Sequence, residues 1–273
     1  RVNKTMSNSL PIGVFDSGLG GLTVVKALKG IMPCENIIYF GDTAHIPYGT
    51  KSGETVTHYS HQITGFLSEK DVKLVVVACN TASALALPEI EQTFDIPMIG
   101  VIAPGAQAAV DATKSGHIGV IGTISTISSG AYSLKIHNLN SDLTISGLAC
   151  PLFVPLVEEG WTSGDVPKMI AETYLDHFKT NNVDTLILGC THYPLLKKTI
   201  QSVLPPGVRL IDSSEAVSEA VAKLLHDKDK ATNKDEDGTL TCYVTDLPQK
   251  FEELGRRFLG EALLDVSLVH LDW

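Results

Sequence analysis

The stretch VVVACNT at residues 75–81 begins as an unbroken apolar run and ends in a cysteine followed by two polar residues. The stretch LILGCTH at residues 186–192 has the same order of apolar residues, one small residue, a cysteine and polar residues. Continuous apolar runs of this length are typical of strands buried on both faces of a parallel sheet. Each stretch therefore predicts a buried strand that ends at its cysteine.

Short apolar runs of this kind recur along the chain and alternate with segments of helical spacing. The predicted strands lie at 11–15, 36–40, 73–78, 96–101, 117–122, 185–189 and 207–211. Helical spacing is seen at Leu22, Val25 and Leu28, at Val166, Ile170 and Leu175, and over 213–225 and 251–259. Alternating strands and helices predict a doubly wound parallel α/β fold.

A second pair of stretches suggests that this fold is duplicated. IGVFDS at 12–17 and IGVIGT at 118–123 each run from a strand into a hydroxyl-bearing turn. Their distances to the two cysteines are close, with 63 residues from Asp16 to Cys79 and 68 from Gly122 to Cys190. The alternative is that unrelated strand–helix units share this general pattern. Duplication predicts two similar α/β halves.

The predicted halves define the domain boundaries. We expect a first domain of residues 1–102 plus 212–273 and a second domain of residues 103–211, with the active site in the cleft between them. The polar run HDKDKATNKDEDG at 226–238 is predicted to be a solvated, mobile loop.

Composition excludes several classes of protein. The 273 residues are 44% hydrophobic and 19% charged, which is typical of a soluble globular protein and too apolar for a disordered one. No run approaches the roughly 18 apolar residues of a membrane-spanning helix, and the first ten residues lack the apolar core of a signal peptide. We therefore expect no membrane partner and a cytoplasmic location. The net charge of -10 disfavours nucleic acid as a partner.

The cysteines and histidines do not predict a disulfide framework or a metal site. The five cysteines are odd in number and scattered, and none forms a CxxC pair. His58 and His61 could share a helix face, but a solvated face is the simpler interpretation. We expect no metal.

Polar residues follow the predicted strands where the ligand sites of open parallel sheets lie. Asp16 and Ser17 precede the glycine-rich stretch GLGG at 18–21, and a Pro47-Tyr48-Gly49 turn follows the second strand. That turn is expected to expose an aromatic hydroxyl and the neighbouring backbone N–H groups. An ordinary glycine-rich turn and an ordinary ordered loop would explain both features equally well.

Cys79 and Cys190 are the more informative residues. Each is predicted to lie before the N-terminus of a following helix, which would stabilise a thiolate and lower the thiol pKa. Two thiols facing each other across a cleft could remove a proton from one face of a carbon and deliver another to the opposite face, which inverts a stereocentre. A single cysteine beside His192 would instead suggest a nucleophile, and the second cysteine would have no role.

Together these motifs resemble the glutamate racemases. The resemblance rests on FDSG at 15–18, GDT at 41–43 with PYG at 47–49, ACNTA at 78–82 and GCTHYP at 189–194. It covers about residues 11–220 in the same order and fades over 212–273. His45 stands where related sequences often carry Arg.

The resemblance implies an enzyme that interconverts L- and D-glutamate without a cofactor, supplies D-glutamate for peptidoglycan and forms a homodimer. Cys79 would remove the α-proton of D-glutamate and Cys190 that of L-glutamate. The implied catalytic residues are Cys79, Cys190, Asp16, His192 and Glu158. The implied substrate-binding residues are Asp16, Ser17, Tyr48, Gly49, Asn80, Thr81, Thr191 and His192.

Four alternatives stay open at this point. A racemase acting on aspartate or a hydantoin would share the two-cysteine chemistry, although the Asn80-Thr81 and Thr191-His192 pairs favour glutamate. A one-cysteine decarboxylase is disfavoured because both cysteines are present. A two-lobed amino-acid-binding module would explain the cleft but not the paired thiols. A thiol-redox protein would require the two cysteines to form a disulfide.

Overall fold

The protein is described by a computed structural model that covers residues 8–263, 265–271 and 273. Residues 1–7 of the predicted first domain lie outside the described residues. Ten strands form two wholly parallel sheets. The first sheet has the order β10-β9-β2-β1-β3-β4, and the second has the order β6-β5-β7-β8. The predicted α/β fold with two parallel-sheet halves is confirmed.

The strands are β1 Ile12–Asp16, β2 Ile37–Gly41, β3 Leu74–Val77, β4 Met98–Gly100, β5 His117–Gly122, β6 Thr144–Ala149, β7 Thr185–Gly189, β8 Arg209–Asp212, β9 Leu240–Val244 and β10 Val266–Leu268. The α-helices are α1 Leu22–Ile31, α2 Gly53–Glu69, α3 Asn80–Leu85, α4 Leu87–Thr93, α5 Ile102–Ala112, α6 Ile124–Ser128, α7 Ala131–Leu139, α8 Phe153–Glu158, α9 Asp165–Lys179, α10 Lys197–Val203, α11 Ser213–Asp227 and α12 Pro248–Leu259. Short 3₁₀ helices cover Tyr48–Thr50 and Tyr193–Leu196.

The central strands are buried on both faces, as their continuous apolar sequences predict. Every residue of β1, β3 and β7 is buried. Helices cover these faces with apolar sides, so that Leu22, Val25 and Leu28 of α1 have no exposed surface. Burial of whole apolar side chains contributes about 1.5–3 kcal/mol each, which makes these layers the main source of stability.

Three strands were not predicted, and all lie at or next to a sheet edge. β6 is an edge strand whose residues are only partly buried and include Thr144, Ser146 and Gly147. β9 and β10 extend the first sheet beyond β2, and β10 has only three residues. All three strands contain partly buried or exposed residues, which need no continuous apolar run, so their sequences lack the signal that the fully buried strands carry.

The topology supports the duplication. The order β2-β1-β3-β4 in the first sheet matches β6-β5-β7-β8 in the second. The registers match as well, since Phe15 of β1 pairs with Val77 of β3 and the corresponding Ile121 of β5 pairs with Leu188 of β7. The two cysteines therefore follow equivalent strands at nearly equivalent positions.

The predicted domain division stays a prediction, although sheet membership follows the same segments. The first sheet takes its strands from residues 12–100 and 240–268, and the second takes its strands from residues 117–212. Within the described ranges, no helix combines the length and apolarity that crossing a membrane requires.

The polar segment after α11 differs from its prediction at one point. Most of residues 226–238 are exposed, as predicted. However, the backbone at Lys230 accepts a hydrogen bond from Lys73 Nζ (3.0 Å), and the Thr232 N–H donates to Glu35 Oε1 (2.8 Å). Lys73 and Glu35 form a buried ion pair of 2.5 Å, so the segment is attached to the first sheet by charged groups that its own sequence does not include.

Candidate active site

The predicted site residues lie around one pocket at the carboxyl ends of the central strands. Ten of the eleven different residues line it: Ser17, Tyr48, Gly49, Cys79, Asn80, Thr81, Glu158, Cys190, Thr191 and His192. The eleventh, Asp16, lies directly behind the lining and has no exposed surface. Parallel strands place their ligand sites at this edge, and here two sheets contribute to the same space.

Asp16 is the last residue of β1 and is buried without a full set of partners. Its Oδ2 accepts a hydrogen bond from the Gly18 N–H at 3.2 Å, and its Oδ1 has no partner among the described residues. Burial raises the pKa of Asp16, against the opposing effects of the His192 charge and nearby backbone N–H groups. An unsatisfied buried carboxylate oxygen is costly unless a positive group approaches it.

Cys79 caps the N-terminus of α3, as expected, but its pKa does not fall. Its sulfur lies 3.5 Å from the Ala82 N–H and 3.9 Å from the Ser17 hydroxyl. Burial, followed by the negative charge of Asp16, raises the pKa of Cys79 to about 12 despite these hydrogen bonds. The predicted lowering is therefore wrong for Cys79, because desolvation and a like charge outweigh one short helix terminus.

Cys190 has a different set of neighbours. Its sulfur lies 3.9 Å from His192 Nδ1, and His192 Nε2 lies 3.1 Å from Glu158 Oε1. Burial lowers the pKa of His192, but hydrogen bonds and charge from Cys190 and Glu158 outweigh this effect and raise it to about 10. The arrangement places an imidazolium beside the sulfur, and a carboxylate holds the far side of the ring.

The Pro47-Tyr48-Gly49 turn reaches the pocket, but the predicted exposed hydroxyl is wrong. Tyr48 is 1% exposed and donates its hydroxyl to Asp42 Oδ2 at 2.7 Å. The phenol therefore points away from the pocket and anchors the turn. Tyr48 and Gly49 both line the pocket.

Asn80 and Thr81 are held by residues of the segment between β5 and β6. The Tyr132 hydroxyl donates to Asn80 Oδ1 at 2.7 Å. Thr81 Oγ1 lies 3.0 Å from Thr123 Oγ1 and 3.2 Å from Thr126 Oγ1, and the last two hydroxyls are 2.9 Å apart. These three threonines form a hydroxyl cluster, and it joins the turn after β3 to the turn after β5.

Thr123 lines the pocket and was not among the predicted site residues. It occupies the position in IGVIGT that Ser17 occupies in IGVFDS, so the repeat itself could have identified it. Tyr132 carried no comparable signal, because its contact with Asn80 depends on how distant segments fold together. Asp42 lies in the GDT motif at 41–43, but the motif does not show that its carboxylate accepts the Tyr48 hydroxyl.

The turn after β1 packs tightly against the residues that follow β7. Thr23 Oγ1 donates to the Thr191 carbonyl at 3.2 Å. A Cβ atom at Gly20 would lie 2.1 Å from Thr191 Oγ1 and 2.7 Å from His192 Nδ1. Glycine is needed at position 20 for this close approach between the two sheets.

All five cysteines are free thiols. In the part of the chain that the structure describes, no group of three or more His, Cys, Asp or Glu side chains is arranged to hold a metal ion. His58 and His61 lie on α2, and their rings contact Tyr59 and Phe94 respectively.

Comparison with known proteins identifies the family. The family described as Asp/Glu/Hydantoin racemase matches residues 23–221 of the chain. A glutamate racemase of Geobacter metallireducens is 51% identical over 261 residues, which cover 96% of this chain and 97% of that protein.

Two solved structures extend the match to the whole fold. A glutamate racemase from Francisella tularensis, crystallised with D-glutamate, has a TM-score of 0.91 at 41% identity and covers 97% of this chain and 99% of its own. A glutamate racemase isoform from Bacillus anthracis has a TM-score of 0.93 at 37% identity, with 96% and 98% coverage. The chain therefore belongs to the glutamate racemases of the Asp/Glu/Hydantoin racemase family and is an isomerase.

Proposed function

We propose that the protein interconverts L- and D-glutamate without a cofactor, with Cys79 and Cys190 as the two bases on opposite faces of the α-carbon. The observation that carries the proposal is the pair of thiols that follow equivalent strands, β3 and β7, and line one pocket. D-Glutamate is the ligand of the Francisella tularensis relative. In the reaction one thiolate takes the α-proton, and the other thiol gives a proton to the opposite face.

On the Cys79 side, the thiolate would take the α-proton of D-glutamate. The pKa of Cys79, about 12, is too high for an effective base at neutral pH. We propose that the substrate ammonium lowers it by approaching Cys79 and the unpartnered Oδ1 of Asp16. A positive charge within about 4–6 Å favours the ionised form of both groups. Cys79 would thus become an effective base only when substrate is bound.

On the Cys190 side, the thiolate would take the α-proton of L-glutamate. His192 is protonated below its pKa of about 10 and lies 3.9 Å from the sulfur. Its positive charge stabilises a negative sulfur, and Glu158 keeps the ring in place through Nε2. We propose that this side carries the thiolate in the resting enzyme.

The substrate carboxylates would be held by hydroxyl, amide and backbone donors, since no Lys or Arg is among the described residues that line the pocket. The proposed donors are Ser17, Asn80, Thr81 and Thr191, with the backbone N–H groups of Tyr48, Gly49 and His192. Donors aimed at an oxyanion in a site that excludes water stabilise the developing carbanion.

In the cell, the product D-glutamate would supply peptidoglycan synthesis. We propose that the enzyme works in the cytoplasm as a homodimer. Size-exclusion chromatography with light scattering of the purified chain tests the dimer, and a mass of one chain, 29.3 kDa, would refute it.

The activity is tested by proton NMR of L- and D-glutamate in D₂O with the purified protein and no added cofactor, with optical rotation followed in parallel. Loss of the α-proton signal and decay of rotation from either enantiomer support the proposal. The same measurement on Cys79→Ser and Cys190→Ser tests the two proposed bases. Cys34→Ser is the matched control for these variants, because Cys34 is a partly exposed thiol outside the pocket.

Three results would contradict the proposal. Exchange of aspartate but not of glutamate would make the substrate wrong. Glutamate binding without exchange would favour the binding module. Full racemase activity of a protein in which Cys79 and Cys190 form a disulfide would show that free thiols are not needed, and the disulfide would favour a redox role.

A further inference from the structure

We infer that His45 and Trp273 are positioning residues for the substrate loop, which we define as residues 45–49, and that they act through the buried carboxylate of Asp42. The inference rests on the proposed function, because it concerns the wall of the same pocket. Ile46, Pro47, Tyr48 and Gly49 of this loop line the pocket, whereas His45, Asp42 and Trp273 do not.

Asp42 is the centre of this arrangement. It follows β2 and has no exposed surface. Its Oδ2 accepts from the Tyr48 hydroxyl at 2.7 Å, and its Oδ1 accepts from Thr245 Oγ1 at 2.8 Å and lies 2.8 Å from His45 Nδ1. One carboxylate therefore fixes the substrate loop to the segment that follows β9.

His45 must donate to Asp42 through Nδ1, because an ionised carboxylate only accepts hydrogen bonds. The imidazole is also stacked on Tyr59, with ring centroids 4.3 Å apart and an interplanar angle of 27°. This ring contact and the hydrogen bond together allow His45 one orientation at the start of the substrate loop.

Trp273 covers the outer side of His45. Its ring meets the imidazole edge-on at 4.5 Å and Tyr59 edge-on at 5.2 Å. The preceding residues Val269 and Leu271 pack against the apolar cluster that contains Tyr48. The residues after β10 therefore reach back across the sheet to the loop that borders the pocket.

These contacts predict an effect on binding and not on the proton-transfer step. Without His45, Asp42 loses one of three donors and Tyr59 loses its stacked ring, so the Tyr48 anchor is less rigid. The backbone groups of Tyr48 and Gly49 would then be displaced from substrate in the ground state and the transition state alike. A loss of such uniform binding raises KM and leaves kcat nearly unchanged.

The kinetic test compares graded substitutions. We expect His45→Ala to raise the KM for glutamate about tenfold with kcat within about twofold of wild type, and Trp273→Ala to raise it about threefold. His45→Gln keeps an N–H donor for Asp42 and should recover part of the loss, and Trp273→Phe keeps a ring and should recover most of it. His58→Ala is the matched control, because His58 is exposed and contacts Tyr59 without touching Asp42.

A double-mutant cycle tests whether Trp273 acts through His45. If it does, Trp273→Ala adds little to KM in the His45→Ala background, and the two effects are far from additive. Additive effects would refute this connection. Wild-type KM for both His45→Ala and Trp273→Ala would overturn the whole inference.

Fluorescence gives a readout that does not depend on activity. The chain has two tryptophans, so Trp161→Phe leaves Trp273 as the only indole. In that background we expect glutamate to change the Trp273 emission and His45→Ala to shift it to the red. An emission unchanged by His45→Ala would contradict the packing.

The two proposals can fail separately. If the wild-type protein exchanges no α-proton, the proposed function fails. The emission shift and the glutamate Kd by calorimetry, measured on the same variants, then still decide whether His45 and Trp273 position the loop.

Discussion

The two thiols occupy equivalent places in the two sheets but have opposite surroundings. Cys79 lies near a buried carboxylate, Asp16, and its pKa is raised to about 12. Cys190 lies beside His192, whose pKa is raised to about 10 and which therefore carries a positive charge at neutral pH. A symmetric reaction does not need symmetric bases. The two-base reaction proposed above needs one thiol and one thiolate, and the neighbouring charges favour a different state on each side.

The same comparison extends to the opposite ends of the strands. Lys73 and Asp184 immediately precede β3 and β7, and their N–H groups donate to the carbonyls of Pro11 and His117. Lys73 forms a buried ion pair with Glu35, whereas Asp184 accepts four hydrogen bonds from Thr113, Lys114, Ser115 and Thr185. At these equivalent positions, a cation attaches the neighbouring loops in one half and an anion does so in the other.

The largest effect is expected from removing either thiol. Cys79→Ser and Cys190→Ser should each lower kcat/KM by about 10²–10⁴, the usual contribution of a positioned acid or base. The fall must be equal in both directions, because the enantiomers are equal in free energy. In D₂O, residual exchange should be limited to the enantiomer that faces the remaining cysteine. Equal residual exchange of both enantiomers would contradict the assignment of faces.

Lys73→Met should destabilise the protein by about 3–5 kcal/mol, because it leaves the carboxylate of Glu35 buried without its partner. Urea unfolding measures the loss. Activity under native conditions should stay close to that of wild type, since Lys73 is at the strand ends opposite the pocket. Lys70→Met, at an exposed lysine three residues away, is the control and should change stability little.

Gly20→Ala should lower kcat/KM about a hundredfold, because the added methyl group would displace Thr191 and His192 from their positions. Exchange of the L-glutamate α-proton should be the more affected, since these residues serve the Cys190 side. Gly30→Ala is the control, as its Cβ would meet no atom within 4 Å. A fully active Gly20→Ala protein would show that the close approach is dispensable.

Glu158→Gln should move the alkaline limb of the kcat/KM profile to lower pH by reducing the pKa of His192. A raised pKa means that the imidazolium is present at low pH and is lost as pH rises through about 10. Removing the Glu158 charge lowers that value, so the proton leaves earlier. NMR titration of the His192 ring measures the shift directly. Glu159→Gln, at the exposed neighbouring carboxylate, is the control and should change neither the pH profile of kcat/KM nor the NMR titration of His192.

Asp184→Asn should destabilise the protein by about 1–2 kcal/mol at neutral pH. Burial raises the pKa of Asp184, but hydrogen bonds with Thr113, Lys114, Ser115 and Thr185 outweigh it and lower the pKa to about 2. The stabilisation is therefore present above the ordinary value of 3.8 and is lost as pH falls toward 2. Urea unfolding of wild type and variant should converge on acidification. A gap independent of pH would exclude this origin.

The sequence predicted those features that local patterns determine. The seven strands with continuous apolar runs were found, and the motifs at their ends identified residues that meet at one pocket. The strands β6, β9 and β10, at or next to a sheet edge, were missed because partial burial needs no such run. The pKa of Cys79 and the direction of the Tyr48 hydroxyl could not be predicted, because they depend on burial and on Asp42. The contact of Asp42 with Thr245 joins residues 203 positions apart.

The hydroxyl cluster of Thr81, Thr123 and Thr126 has a consequence for how the pocket exchanges its contents. Each hydroxyl both donates and accepts, so water can replace every hydrogen bond of the cluster with little net change in free energy. An apolar or ionic contact at the same place would have to be broken at a cost each time a glutamate enters or leaves. If the pocket opens here to admit and release substrate, the three hydroxyls would let this part of the boundary separate and rejoin with a small barrier.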